Sequence, residues 1–93
     1  MDNRVFRIKN VPWRIIEGEA IVVDIDGGEI IHLNETGAVV WKNLDGKTDV
    51  SGIVDHVCEE FDVEKNIAET DVTEFLKTLT EKKVVECVKD AES

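Results

Sequence analysis

The chain has few prolines, few cysteines and no long apolar run, and each shortage excludes a class of protein. One Pro and six Gly in 93 residues are too few for a linker or a low-complexity protein. Its two cysteines, Cys58 and Cys87, form no CxxC pair and no disulfide framework. No apolar run approaches the roughly 20 residues that a membrane span requires, and the N-terminus lacks a signal pattern. We therefore expect a cytoplasmic protein with reduced thiols.

Basic side chains are also scarce relative to acidic ones. The chain has 11 Lys and Arg against 21 Asp and Glu, a formal net charge of −10. Nucleic acids are bound largely through Lys and Arg on their phosphates, and anionic membranes attract basic segments. The small basic group near the N-terminus comprises Arg4, Arg7, Lys9 and Arg14. It does not outweigh the acidic remainder, so we expect neither nucleic acid nor membrane as a partner.

What remains is the composition of one globular domain. Hydrophobic residues make up 42% of the chain and charged residues 34%, proportions typical of a folded soluble protein. The length leaves no room for two ordinary domains. We expect a single domain over residues 1–93, with an ordered core of about 11–88.

The first half of the chain predicts β-structure. Residues 13–33 are dense in β-branched side chains and read as a three-stranded antiparallel meander. Gly18 separates the first two strands, and Asp26-Gly27-Gly28 is a strong hairpin turn signal before the third strand, residues 29–33. Residues 1–12 are mixed and polar, and we expect a poorly ordered lead-in there.

The hydrophobic period then changes to that of helices. Capping residues at 34–37 open the first helix, Thr48-Asp49 open a second one that ends at Phe61-Asp62, and a third covers about 64–82. A short extended piece follows at 84–88. The predicted fold class is α+β: the meander, three helices and an extended segment. The second and third helices beside a sheet give a winged helix-turn-helix-like arrangement.

No constellation in the sequence predicts a catalytic centre. A Gly-rich phosphate loop and an HExxH motif are both missing. The residues suited to metal binding or nucleophilic attack are His32, His56, Cys58 and Cys87, and their spacing fits no known site. The many carboxylates are typical of a solvated face. We expect no enzyme activity, no cofactor and no metal.

The third strand is the most informative element for function. If Ile31 and Leu33 point inward, Ile30 and His32 point outward. The chain passes from this strand directly into a helix, so no later strand obviously pairs with its outer edge. An apolar unpaired edge favours aggregation unless it is covered or used. Two alternatives stay open: a partner's strand adds to this edge, or the 84–88 segment or a second copy of the chain covers it.

Several short strings occur in order along most of the chain. They begin with Val11-Pro12-Trp13-Arg14, continue through Leu33-Asn34-Glu35-Thr36-Gly37 to Trp41, and include Leu44-Asp45-Gly46. Later matches are Phe61-Asp62-Val63, Asp71-Val72 and Phe75-Leu76. Over roughly residues 11–88 the chain resembles the PqqD family.

The resemblance implies a small winged-helix-like domain that binds the leader of a ribosomally made precursor peptide. Such a domain presents the leader to a modifying enzyme, which in pyrroloquinoline quinone biosynthesis is a radical S-adenosylmethionine (SAM) protein. The leader adds as a strand beside the third β-strand, in a groove bordered by the third helix. Carried onto this sequence, the strand residues are Glu29, Ile30, Ile31, His32 and Leu33. The helix residues are Asp71, Val72, Phe75, Leu76 and Leu79, with Lys82 or Lys83 near the helix end.

The predicted function is therefore a non-enzymatic chaperone for a precursor peptide. Three of its helix residues, Val72, Phe75 and Leu79, have ordinary core packing as an alternative reading. One competing function is a winged-helix transcription regulator, which needs a basic recognition helix, whereas the third helix begins acidic. Another is a dimerisation or structural module whose strand edge pairs with its own copy.

Overall fold

A computed structural model describes residues 2–89, and its elements confirm an α+β fold in which a meander precedes three helices. The strands are β1 (Val5–Ile8), β2 (Trp13–Ile16), β3 (Glu19–Asp24), β4 (Glu29–Leu33), β5 (Asp45–Asp49) and β6 (Val85–Lys89). The helices are α1 (Glu35–Lys42), α2 (Val50–Phe61) and α3 (Lys65–Glu81).

The predicted meander is present as an antiparallel sheet in the order β2-β3-β4. A tight turn at Gly18, whose φ of +83° suits glycine, joins β2 to β3. In the β3–β4 pair, Val22 lies opposite Ile31 and Ala20 lies opposite Leu33. These four side chains are all buried, so they form the inner face of the sheet and pack toward the helices.

The lead-in expected over residues 1–12 is instead partly a strand, so that expectation was wrong. β1 is the central strand of a second antiparallel sheet, in the order β5-β1-β6, and Val5 and Phe6 are 6% and 4% exposed. Residues 45–49, read as a helix end and a helix start, form the partner strand β5. Strand pairing between distant segments leaves no local signal, which is why periodicity missed this sheet.

The segment expected at 84–88 is β6, and its place corrects one alternative. It pairs with β1, with Phe6 opposite Cys87 and Ile8 opposite Val85. The possibility that this segment covers the outer edge of the third strand is therefore wrong. That edge, on β4, belongs to the other sheet.

Two of the three described helices, α1 and α2, begin at side-chain caps, and all three enclose one core. Asn34 Oδ1 accepts a hydrogen bond from the Gly37 N–H at 2.9 Å, and Asp49 Oδ1 accepts one from the Gly52 N–H at 2.8 Å. Both bonds satisfy backbone donors that the first turn leaves free. The core includes fully buried Trp41, against which Trp13 packs edge-on with ring centroids 6.0 Å apart.

Candidate functional site

β4 is an edge strand of the meander. One of its sides pairs with β3, and no strand within residues 2–89 pairs with the other. Its side chains alternate: Ile31 and Leu33 are 8% and 5% exposed, whereas Ile30 is 69% exposed and His32 also faces solvent. The strand therefore presents a row of main-chain donors and acceptors along one side, anchored by an apolar inner face.

A groove of about 490 Å³ lies between β4 and α3. Its lining residues are Ile31, His32, Leu33, Asn34, Thr36, Asp71, Glu74, Phe75, Thr78 and Lys82. The two elements run in opposite directions, because Lys82 at the end of α3 reaches Glu29 at the start of β4. The groove therefore runs along both elements, with the β4 edge as one side and a face of α3 as the other.

Phe75 is the main apolar side chain on the helical wall, and a glycine makes room for it. A Cβ placed on Gly37 of α1 would lie 2.7 Å from Phe75 Cε1 and 3.0 Å from Leu33 Cβ. Any side chain at position 37 would therefore force the Phe75 ring to shift. The glycine of the Leu-Asn-Glu-Thr-Gly string thus shapes the groove as well as the first turn of α1.

The groove is charged differently at its two ends. At the Glu29 end, Lys82 forms an ion pair with Glu29, and this hydrogen bond raises the pKa of the Lys82 ammonium group above its ordinary value. At the Leu33 end the α3 wall carries Asp71 and Glu74. No cation in the described part of the chain forms an ion pair with either carboxylate.

The outer face of the meander carries a close contact between a histidine and a carboxylate beside the groove mouth. His32 Nε2 lies 2.6 Å from Glu19 Oε1, and both side chains are largely solvent-exposed. The same face carries Ile30 together with half-buried Ile21 and Val23 of β3. Alternation along β4 therefore places Ile31 and Leu33 on the inner side and Ile30 and His32 on the outer side, with His32 also among the residues that line the groove.

The structure brings together most, but not all, of the residues assigned to this site from the sequence. All five strand residues lie on β4, and Asp71 and Phe75 lie on the groove side of α3. Val72, Leu76 and Leu79 are at most 2% exposed and belong to the core. The family resemblance assigns these residues to the groove, whereas core packing, the alternative for Val72 and Leu79, is what the structure shows.

Several groove residues were missed. These are Asn34, Thr36, Glu74 and Thr78, with Lys82 considered only as a residue near the helix end. A signal was present on α3, since Asp71, Phe75, Thr78 and Lys82 follow one another at helical spacings of three or four and share a face. Once Phe75 is assigned to the groove, that row identifies its neighbours.

No other cluster of side chains in residues 2–89 competes as a chemical site. No group of three His, Cys, Asp or Glu side chains there is placed to hold a metal ion. Of the two thiols, that of Cys58 is half-buried and that of Cys87 is exposed. A smaller hollow near the N-terminus, beside Asp2, Ser51 and Lys65, lies away from the strand edge. The helices of the described region all lack the length and apolar character needed to cross a membrane.

A comparison of the sequence with models of known protein families assigns this chain to one of them. The sequence model described as "Coenzyme PQQ synthesis protein D (PqqD)" matches residues 19–85, which include β4 and α3. The chain belongs to the PqqD family. The resemblance seen in its short strings is thereby confirmed. None of the curated proteins matches it.

Solved structures similar to this PqqD-family chain include two complexes with leader peptides. TbiB1 in complex with the TbiA(beta) leader peptide has 27% sequence identity and a TM-score of 0.78, over 90% of this chain and 99% of that one. Lasso peptide synthetase B1 complexed with the leader peptide has 25% identity and a TM-score of 0.72, over 87% and 96%.

A third similar structure was determined in solution. It is the PqqD truncation of Methylobacterium extorquens PqqCD, with 26% identity and a TM-score of 0.71 over 88% of each chain. That protein is described as a functional and stand-alone recognition element for ribosomally synthesized and post-translationally modified peptides.

Proposed function

We propose that this PqqD-family protein captures the leader segment of a ribosomally synthesised precursor peptide and presents it to a modifying enzyme. The observation that carries the proposal is the unpaired outer edge of β4 beside an apolar-floored groove. Two structures of similar fold, TbiB1 and lasso peptide synthetase B1, are complexes with leader peptides. The family match over residues 19–85 supports the same function.

Binding is by β-strand addition. The leader extends the meander by one strand, and its main-chain hydrogen bonds to β4 supply affinity without demanding a particular sequence. Every second leader side chain then faces Phe75 and the α3 wall, and the others face the side of Ile30. The peptide beyond the groove stays free to enter the active site of the modifying enzyme.

The chain itself is proposed to be a binding partner and not a catalyst. It works as one domain over residues 1–93, needs no cofactor and acts in the cytoplasm. The chemistry belongs to the enzyme that receives the precursor, of the radical SAM type if the pathway is that of pyrroloquinoline quinone. Its net charge of −10 supports neither nucleic acid nor an anionic membrane as a partner.

The competing functions make different demands on the same surface. A transcription regulator needs a basic helix, whereas the groove side of α3 carries Asp71 and Glu74. A homodimer would pair β4 with β4 of a second copy and thereby occupy the peptide site. Dimerisation and leader binding would then exclude each other, which sedimentation at several concentrations with and without peptide detects.

The test is a titration with labelled leader segments of the short precursor reading frames beside this chain's gene. We expect saturable binding that Phe75→Ala weakens at least tenfold, which corresponds to about 1.4 kcal/mol. Phe61→Ala, at a half-buried position on α2 away from the groove, is the matched control and should leave affinity unchanged. Circular dichroism verifies that both variants fold. Absence of saturable binding, or equal losses in both variants, contradicts the proposal.

A further inference from the structure

We infer that the groove selects its peptide by the order of charges along the strand. The preferred strand places a basic side chain beside Asp71 and Glu74, an apolar one against Phe75, and an acidic one beside Lys82. This inference rests on the proposed function, since it specifies which peptides the β4 edge accepts. The groups involved are Asp71, Glu74 and Phe75 on one face of α3, together with the Lys82–Glu29 ion pair at one end of the groove.

The acidic end of the groove carries two carboxylates that have no ion-pair partner in the described part of the chain. Asp71 is half-buried and Glu74 is exposed on the groove wall, and within residues 2–89 neither forms an ion pair. A peptide strand on β4 covers this wall and displaces water from it. A carboxylate that loses water without gaining a partner opposes binding, whereas an arriving Lys or Arg supplies that partner. A basic peptide residue is therefore favoured at this end.

The opposite end of the groove carries the reverse charge. Lys82 extends from the end of α3 to Glu29, the first residue of β4. An ammonium group has three donors, and Glu29 engages one side of it. A peptide carboxylate arriving at this end gains a second charge-assisted hydrogen bond with Lys82 or takes the place of Glu29. A basic peptide residue here would instead face the ammonium group at close range.

The spacing of these groups sets the spacing in the peptide. Lys82 follows Glu74 by eight helical residues, a rise of about 12 Å at roughly 1.5 Å per residue. Along an extended strand, residues that face the same side repeat about every 6.7 Å. The two charged peptide residues are therefore four positions apart. The residue midway between them faces the wall at Thr78, about 4.5 Å beyond Phe75 along the helix.

The direction of the strand fixes which charge comes first. Both pairings within the meander are antiparallel, and antiparallel ladders are slightly more stable per residue than parallel ones. β4 runs from the Lys82 end of the groove toward the Asp71 end. An antiparallel peptide therefore begins beside Asp71 and Glu74, so its basic residue precedes its acidic residue.

The test begins with selection from a displayed library of random dodecapeptides on the intact protein. We expect the selected peptides to carry Lys or Arg four positions before Asp or Glu, with an apolar residue midway. One selected sequence is then synthesised with its two charged residues in the native and in the exchanged order. Because both peptides have the same composition, general attraction to an acidic protein cancels. We expect at least tenfold tighter binding of the native order.

Paired variants show whether the groove carboxylates cause the preference. In the double variant Asp71→Asn with Glu74→Gln only Lys82 still discriminates, so the preference for the native order should fall from tenfold to about threefold or less. Glu69→Gln is the control, since Glu69 lies on α3 but lines the hollow beside Asp2 instead of the groove. It should keep the tenfold preference. Thermal unfolding of each variant shows that the comparison is made on folded protein.

The outcomes of these experiments distinguish the charge selection inferred here from the peptide-binding function on which it rests. Peptides that slow amide exchange along β4 but bind equally well in both charge orders overturn the charge selection and leave the peptide-binding function intact. A preference that stays undiminished in the Asp71→Asn, Glu74→Gln variant also overturns it. If no selected peptide slows exchange at β4, both the inference and the proposed function are wrong.

Discussion

Gly37 and Phe75 are two residues of different elements that define one surface. The absence of a Cβ at position 37 leaves the place where the Phe75 ring lies, 2.7 Å from where that atom would be. Sequence reasoning identified both residues through the family resemblance, but separately: Gly37 in one string, and Phe75 in another string and as a residue of the groove. Their contact joins distant parts of the chain, and such contacts leave no trace in periodicity.

The alternation on β4 was, by contrast, readable in advance. Ile31 and Leu33 are buried and Ile30 is exposed, as the period of two predicts once either face is assigned. The sequence could not predict which apolar residues of α3 lie in the core and which line the groove. Phe75 and Leu76 are adjacent and both apolar, but only Leu76 lies in the core. The difference arises from the angle at which α3 meets the meander, which no local pattern encodes.

Asp45 provides a prediction at the residue scale. Its Oδ1 accepts hydrogen bonds from the N–H groups of Thr48 at 2.8 Å and Lys47 at 2.9 Å, and its Oδ2 accepts the Thr48 hydroxyl at 3.0 Å. These bonds, led by the Thr48 N–H, lower the pKa of the Asp45 carboxyl below 3.8. Because the folded-state pKa is depressed, the stabilisation is complete above the unfolded-state pKa and is lost as pH falls through the folded-state value.

We therefore expect Asp45→Asn to lower the free energy of unfolding near neutral pH by about 0.5–1 kcal/mol, a modest value because the site is exposed. The gap between variant and parent should close in acid, below the ordinary pKa of 3.8. Urea denaturation of both proteins from neutral pH to below pH 3.8 measures the difference in their free energies of unfolding. Asp55→Asn, an exposed position on α2, serves as control. A gap that stays constant down to strongly acid pH would show that the carboxylate form is not what matters.

At the scale of elements, the helices differ in how their first turns are closed. Asp49 caps α2 through the Gly52 N–H, whereas Glu64 occupies the corresponding place before α3 without a side-chain capping bond. The sequence predicted both helices and the first of these caps from the Thr48-Asp49 pair. It placed the start of α3 near residue 64 on apolar spacing alone, one residue before the observed start.

The two caps should therefore respond differently to truncation. Asp49→Ala is expected to lower the free energy of unfolding by about 1 kcal/mol, the usual cost of removing a capping acceptor. Glu64→Ala should change it by less than about 0.5 kcal/mol, as for other surface positions. Denaturant titrations with unchanged m-values give both numbers. Similar losses in the two variants would contradict the assignment of the caps.

At the scale of the whole molecule, the two sheets differ in the sequence separation of the strands that they pair. The meander β2-β3-β4 is built from neighbouring segments, and turn signals and alternation predicted it. The second sheet joins β1 to β5 and to β6, and its cross-strand ion pair links Arg7 to Glu86 at 2.7 Å. These three short strands are far apart in sequence and have no local reason to be strands, since each is stabilised only by its partners in the sheet.

The N-terminal strand is consequently expected to be essential to the fold, although it lies outside the family match over residues 19–85. Phe6→Ala should cost about 3–4 kcal/mol, because it leaves a cavity at a side chain that is only 4% exposed. Deleting residues 1–8 removes the centre of the second sheet and should abolish cooperative unfolding, given a total stability of roughly 5–15 kcal/mol. Thermal unfolding followed by circular dichroism measures both. A shortened chain that melts like the parent would contradict this role.

The central claim is that β4 is an open edge that a peptide strand completes. Amide hydrogen exchange measured by NMR along residues 29–33, with and without a saturating leader peptide, tests it most directly. We predict rapid exchange in the free monomer at those β4 amides that point away from β3. When the peptide binds, these alternate amides should exchange slowly and the β3 amides should change little. Slow exchange of every β4 amide in the free monomer, or no change on saturation, would contradict the account.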